Sequence, residues 1–324
     1  MNFQNLQDIK EYDFYLDVAF SRAKKKVKQL TGTKKKYRYE DAKARDIEIT
    51  RINSVRETLN DQLNNILGSF PSFDSLSEFY QELIGLYHPI KDIKKALSSL
   101  DWAIKRNNEL SRSTLQKIKM SREKDEIEET RKSYYGRLSS VMKQINSFLK
   151  ELERARKDLK SLPAVKDSLF TIAIVGFPNV GKSTLLSKLT FSIPEAKAYA
   201  FTTKGLNMGY SRIKHEKVQF VDTPGTLDRP EKMNYIERQA ELAIKYLAEV
   251  LIYVFDITEP YPLEMQKKLY NKIKKTRKPI LLYLSKTDIL EKEKIDEFRK
   301  KYKDILTNPE EIMEKLVPLF NRRL

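Results

Sequence analysis

Over the first half of the chain, apolar residues recur every three or four positions and never alternate over any length, which is the period of helices. That spacing predicts a helix from Tyr12 to about Leu30 and a second from about Asp41 to Leu67, striped by Ile52, Val55, Leu59, Leu63 and Ile66. The breaker run Gly68-Ser69-Phe70-Pro71-Ser72 ends it. A short helix is expected near Leu76 to Leu86. Another starts at His88-Pro89, with Ile90, Ile93, Leu97, Leu100 and Ile104 stepping by three and four. A last long helix carries Leu138, Val141, Ile145, Phe148, Leu152 and Leu159. Helices of this length are stabilised mainly by packing their apolar stripes, so an all-α bundle is expected, with Trp102 and the other helical aromatics in its core. Ser161-Leu162-Pro163 closes it, dividing the chain into 1–163 and 164–324.

Beyond that boundary the period changes. Leu169 to Val175, Val250 to Phe255 and Ile280 to Leu284 are continuous apolar runs, as in buried parallel strands. Gly205 to Ile213 and Val218 to Val221 read as an antiparallel pair around the turn Lys214-His215-Glu216. Helices fall between and after the strands, from Thr184, near Tyr235 to Leu247, near Leu263 to Lys275 and near Glu310 to Phe320. The alternation predicts a doubly wound, mostly parallel α/β sheet, with ligands at the C-terminal ends of its strands.

The first of these strands runs into Gly176-Phe177-Pro178-Asn179-Val180-Gly181-Lys182-Ser183-Thr184, a match to the phosphate-loop pattern in the strand–loop–helix context the motif needs. Backbone N–H groups of Asn179, Val180, Gly181 and their neighbours through Thr184 would surround phosphate oxygens at a helix N-terminus. Lys182 would reach the β- and γ-phosphates, and the Ser183 hydroxyl would bind Mg²⁺. Val221-Asp222-Thr223-Pro224-Gly225 ends a later strand. Asp222 is placed to hold Mg²⁺, and Gly225 lets its backbone N–H approach the γ-phosphate. Tyr199-Ala200-Phe201-Thr202-Thr203 lies between the two motifs, and a threonine there would ligate Mg²⁺ only while the γ-phosphate orders the segment. Leu284-Ser285-Lys286-Thr287-Asp288 follows another strand. A carboxylate at Asp288 could accept from both the ring N–H and the amine of guanine, a pair adenine lacks, while Lys286 lies along the base. This favours GTP over ATP.

Composition adds less. The chain has no cysteine, which excludes disulfides and thiolate metal sites and suits a reducing cytoplasm. No apolar run approaches the ~20 residues of a membrane span, and Met1 to Ala19 lacks the apolar core of a signal peptide. The formal net charge is +17 and is shared by both halves. A polyanionic partner such as RNA suits that field, and a thermally adapted surface would give the same excess. Two basic clusters stand out, Arg22 to Lys28 and Lys34-Lys35-Lys36-Tyr37-Arg38-Tyr39, and the second interleaves cations with tyrosine, which suits RNA contact. A solvated face, or a lipid-facing helix, is the competing reading of the same residues. Lys272 to Lys278 and Arg299 to Lys303 read as solvated faces, and His88 and His215 carry no functional assignment.

Together, the Gly-Phe-Pro-Asn-Val-Gly-Lys-Ser-Thr, Tyr-Ala-Phe-Thr-Thr-Lys-Gly-Leu and Val-Asp-Thr-Pro-Gly-Thr-Leu-Asp stretches resemble the nucleolar GTP-binding protein family, in the Obg branch of translation-factor-like GTPases. Ile236-Glu237-Arg238-Gln239-Ala240 fits that family too, and the short chain resembles an archaeal version. The resemblance implies a GTPase with a helical N-terminal domain that contacts ribosomal RNA during large-subunit assembly. The expected partner is the large ribosomal subunit precursor, with no DNA and no membrane, for a cytoplasmic monomer. The alternative is a helical domain serving self-association or a membrane surface. By position, Thr203 matches the switch threonine on Mg²⁺, and Asn179 matches the asparagine that helps hold K⁺ in potassium-dependent relatives. Catalysis would rest on Lys182, Thr203 and Gly225. Three departures are visible. Ser285 replaces the asparagine of N-K-x-D, which implies weaker binding of GTP and GDP. Thr307-Asn308 is the nearest candidate for the base-supporting loop. Thr226 stands where many GTPases carry a water-orienting glutamine, which implies slow intrinsic hydrolysis.

Overall fold

The N-terminal half folds into helices as its periodicity dictates: α1 (Tyr12–Gly32), α2 (Glu40–Ser69), α3 (Glu78–Gly85), α4 (Ile90–Met120), α5 (Lys124–Gln144) and α6 (Asn146–Ser161). These come from a computed structural model that describes residues 3–32, 40–190, 206–225, 235–258 and 262–323. The chain divides into two compact units. The first comprises the segment up to Ser75 with Tyr87–Lys160, and the second comprises Leu76–Leu86 with Ser161–Leu324.

In the helical unit the expected stripe of α2 is buried throughout, from Ile52 to Ile66. On α4 the buried line runs through Ile93, Ala96, Leu100, Ala103, Ile104, Asn107, Leu110 and Ser111, so Ala96 takes the place expected for Leu97. Trp102 is not a core residue and is 43% exposed. It sits one position off the inward line that its neighbours Ala103 and Ile104 hold. The long last helix is two helices, broken at Ile145, which caps the first with a φ of −87° and a ψ of −1°, at the edge of the helical region, while its side chain stays buried. The helix expected to yield to a loop at Thr31 continues to Gly32. On α1, Ala23 and Val27 turn inward, leaving Arg22, Lys24, Lys25, Lys26 and Lys28 exposed. The Lys34–Tyr39 cluster lies outside the described residues.

The second unit is built on a six-stranded sheet of order β2-β3-β1-β4-β5-β6. Its strands are β1 (Phe170–Val175), β2 (Asn207–Ile213), β3 (Glu216–Asp222), β4 (Val250–Phe255), β5 (Ile280–Leu284) and β6 (Ile305–Leu306). Only the β2–β3 pairing is antiparallel among the described strands. Every residue of β1 and β4 is buried, as their unbroken apolar runs require of central parallel strands. Helices α7 (Lys182–Leu189), α8 (Tyr235–Leu242), α9 (Leu263–Lys274), α10 (Lys292–Lys301) and α11 (Pro309–Asn321) connect or follow them, and a π-helical turn (Ala243–Leu247) extends α8.

Helix α3 departs from the expected layout. The division at residue 163 assigns it to the bundle, yet it packs with α8 and the π-helical turn of the sheet unit. Phe79, Tyr80, Leu83 and Ile84 are its buried face. The Tyr80 hydroxyl donates to the Pro163 carbonyl at 3.0 Å and accepts from the Val165 N–H at 2.8 Å. A buried tyrosine needs such partners for its polar tip.

Candidate nucleotide-binding site

Register brings the motifs to one edge of the sheet. Ile174 pairs with Asp222, Val175 with Tyr253 and Phe255 with Leu284. The chain therefore leaves β1, β3, β4 and β5 side by side, at Gly176, Thr223, Asp256 and Ser285. Ligands of open α/β sheets bind at this edge.

The phosphate loop turns into α7 through Gly181, whose φ of +90° is left-handed and whose carbonyl accepts from Leu185 N at 2.9 Å. Asn179 has a φ of +60°, a conformation asparagine tolerates better than most residues. That accounts for its presence in the loop by conformation alone. Val180 is buried, whereas Asn179, Ser183 and Thr184 are exposed.

Lys182 lies 6% exposed, with Nζ donating to the Phe177 carbonyl at 2.6 Å. Burial pushes its pKa down to about 8, against the opposing pull of the Asp222 carboxylate. The Ser183 hydroxyl donates to Asp222 Oδ2 at 2.5 Å, and Asn207 Nδ2 donates to the same oxygen at 3.3 Å. Burial raises the Asp222 pKa, while Ser183, Lys182 and Asn207 oppose the rise. The other oxygen, Asp222 Oδ1, is buried with no hydrogen-bond partner among the described residues. An acceptor left orphaned beside a serine hydroxyl fits a hard cation, since Mg²⁺ takes oxygen ligands from one or two protein groups plus phosphate.

Gly225 lies hard against the phosphate loop. A Cβ there would meet the Pro178 backbone well inside van der Waals contact, so only glycine permits this approach. Thr223 ties the segment to β1, its N–H and hydroxyl donating to the Ile174 carbonyl at 3.2 and 2.8 Å. The switch stretch Tyr199–Thr203, with both Thr202 and Thr203, lies outside the described residues, as does Thr226.

At β5, Ser285 is buried under Gly181; a Cβ on that glycine would sit 3.4 Å from Ser285 Cβ. Its hydroxyl donates to the Phe255 carbonyl at 3.0 Å. Lys286 adopts a left-handed φ of +54°, and its Nζ pairs with Asp256 Oδ2 at 2.6 Å. Asp288 follows, exposed, in a one-turn 3₁₀ helix (Thr287–Ile289).

Asp256 escaped the sequence reading. It is fully buried, its Oδ1 accepts from Thr258 N and Oγ1 at 2.9 and 2.6 Å, and the Gln266 side chain clamps its backbone N–H and C=O. It anchors Lys286, and the signal was a charged residue directly after the unbroken apolar run of β4. Thr307 and Asn308 are otherwise engaged. Asn308 caps α11 by accepting from Glu310 N at 3.0 Å, and Thr307 Oγ1 accepts from Arg299 at 2.7 Å. Lys274, Lys275 and Arg277 are exposed, as a solvated face requires, and Lys278 at the end of that run is half-buried. Its Nζ donates to the Lys245 and Ala248 carbonyls at 2.9 and 2.5 Å, capping the π-helical turn, and burial lowers its pKa. His88 Nε2 lies 2.6 Å from Asp158 Oδ2 within the helical unit.

Comparison with known proteins agrees with both units. Residues 3–166 match the family described as NOG1 N-terminal helical domain, and residues 171–286 match the family described as 50S ribosome-binding GTPase. An uncharacterized Methanocaldococcus jannaschii protein is 38% identical over 78% of this chain and 72% of its own. Nucleolar GTP-binding protein 1 of Drosophila melanogaster is 32% identical over 92% of this chain and 46% of its own. The Saccharomyces cerevisiae counterpart is 29% identical over 88% and 44%. The chain thus spans under half the length of these two nucleolar relatives. No described helix is long and apolar enough to cross a membrane. The chain is a GTP-binding protein of the nucleolar GTP-binding protein family, with a GTPase domain following an N-terminal helical domain.

Proposed function

We propose that this protein is a slow GTP-dependent switch in assembly of the large ribosomal subunit, its helical unit contacting ribosomal RNA. The observation that carries the switch is the packing of Gly225 on the phosphate loop, beside the Ser183–Asp222 pair with its orphaned oxygen. In this reading Lys182 gives up the Phe177 carbonyl for the β- and γ-phosphates. The Gly225 N–H, already at the loop, donates to the γ-phosphate. Asp288 accepts from guanine, with Asp256 holding Lys286 along the base. Ser183, Asp222 and Thr203 would hold Mg²⁺, which supplies charge neutralisation on the phosphates. Asn179 is the residue that would contribute to a K⁺ site.

Ser285 supports a modest nucleotide affinity, because its hydroxyl is spent on the Phe255 carbonyl. Slow turnover follows from Thr226, whose side chain is no analogue of a water-orienting amide. The basic helical unit and the ribosomal description of the GTPase family support the large-subunit precursor as partner, and the cysteine-free chain supports a cytoplasmic site of action. Co-sedimentation with large-subunit precursor particles tests this. Retention with a non-hydrolysable GTP analogue should exceed retention with GDP several-fold and fall as salt rises. Equal retention with analogue, GDP and no nucleotide would overturn the switch.

A further inference from the structure

The helical unit holds a groove of about 420 Å³ between α2 and α4, lined by Arg56, Asn108, Arg112, Leu115, Gln116 and Lys119. We propose that this groove binds the sugar–phosphate backbone of RNA; the proposal rests on the reading that the helical unit contacts ribosomal RNA, and names where.

Among the described residues, no carboxylate lines the groove. The nearby acids are engaged elsewhere: Glu109 pairs with Arg106 at 2.8 Å, and Glu57 with Lys26 at 3.4 Å and, loosely, with Arg56 at 3.5 Å. Arg112 and Lys119 have no acidic partner among the described residues. The bland account of Lys119 is the dipole of α4, since the last helical turn favours cations. That account does not reach Arg112 or Arg56, which stand well back from the α4 terminus on two different helices.

The second observation is a hydrogen-bond chain that fixes the groove's amide. The buried Tyr134 hydroxyl donates to Asn107 Oδ1 at 2.9 Å. Asn107 Nδ2 donates to Asn60 Oδ1 at 2.8 Å, and Asn60 Nδ2 donates to Asn108 Oδ1 at 2.8 Å. Asn107 Nδ2 also donates to the Arg56 carbonyl at 3.4 Å, and a carbonyl only accepts, so the direction of the chain is set at Asn107, which is fully buried. Each link consumes the oxygen of the next amide. Asn108 therefore ends the chain with its Nδ2 donors unused among the described residues. Two guanidinium groups, an ammonium and this oriented amine make a wall of donors, and the complement is an acceptor-only polyanion. Phosphodiester oxygens supply that, and contacts of this kind position a protein on nucleic acid without reading its sequence. A lipid surface is a poorer fit, since Leu115 is the one apolar residue among the described residues that line the groove.

The test is binding of the whole chain to fluorescently labelled large-subunit ribosomal RNA across a salt series. A duplex DNA of equal length and anionic phospholipid vesicles are run alongside. Combined Arg56→Gln, Arg112→Gln and Lys119→Gln should reduce the slope of log affinity against log salt by about 2 to 3, at 0.7–0.9 per lost phosphate contact. Asn108→Asp, which turns the donor into an acceptor, should weaken binding by about tenfold with helix content unchanged. Lys292→Gln, Lys300→Gln and Lys315→Gln, an equal charge loss on the other unit, should leave the slope near wild type. If wild-type chain binds the RNA and the groove variants bind equally well, the groove is wrong and the broader RNA reading stands. An equal loss in the control triple, or a defect confined to vesicles, also overturns it. If wild-type chain does not bind the RNA better than the duplex DNA, the RNA reading itself fails, and the groove with it.

Discussion

Lys182 carries a cost that the proposed phosphate contact would remove. A buried ammonium facing one carboxylate and one carbonyl has its pKa depressed to about 8 in the free protein. The sign follows directly. Between about pH 8 and the ordinary lysine pKa of 10.5 the unfolded chain binds more protons than the folded one, so stability rises with pH across that window. In the proposed complex, phosphate oxygens would reverse this and hold the ammonium protonated, so nucleotide binding should take up a proton above pH 8. GTP affinity should then fall by about tenfold between pH 7 and pH 9. Calorimetry in buffers of different ionisation enthalpy measures the uptake, and affinity independent of pH over that range would contradict it. At the same scale, Asn179 shows how a recognisable residue divides into two explanations. Its left-handed φ is reason enough for asparagine there, so its loop geometry and its suitability for K⁺ are separate properties.

Among the elements, α3 is the informative one. Its four large buried residues lie in the segment Leu76–Leu86, which belongs to the sheet unit although the bundle's helices flank it in sequence. It packs against α8, the helix that follows the D-T-P-G segment, and against a π-helical turn, a feature frequent at functional sites. Phe79→Ala should therefore destabilise the sheet unit by about 3–5 kcal/mol, the usual cost of emptying a buried phenylalanine site. Trp102, the only tryptophan, sits in the helical unit and reports that unit's unfolding. Its emission transition should not move in the Phe79→Ala chain, whereas nucleotide-protected unfolding should shift to lower denaturant. A shift in Trp102 emission instead would place the support of α3 in the bundle.

For the whole molecule, the division into two units makes a thermodynamic statement. Ligand stabilises only what binds it, by about 2.7 kcal/mol at a hundredfold excess over the dissociation constant. GTP should raise the transition of the sheet unit, followed by far-ultraviolet dichroism, and leave the Trp102 transition in place. Coincident shifts in both probes would mean that the units unfold as one. Between the two, the fold of each half was legible because periods of 3.6 residues and unbroken apolar runs are local, and every buried stripe of α2, β1 and β4 follows from them. The break at Ile145 was not legible, because an apolar residue at a helix-compatible position says nothing of its backbone angles. Nor was the exposure of Trp102, since composition assigns a large ring to the core and only the neighbours on α4 decide which side it faces.

The sequence by itself determined the phosphate-binding chemistry. Loop, hydroxyl, amine and the D-T-P-G and S-K-T-D stretches are each contiguous, and their residue types suit the groups they are proposed to contact. Tertiary structure alone decided which residues support that chemistry. Asp256 meets Lys286, Ser285 meets Gly181 and Gly225 meets Pro178 only because parallel register sets strands far apart in sequence side by side. The same holds for α3, whose allegiance depends on a packing partner some 150 residues away in the chain, a loop closure whose cost grows only slowly with length. It holds again for the amide of Asn108, whose direction is set through Asn107 and Asn60 by a backbone carbonyl on another helix.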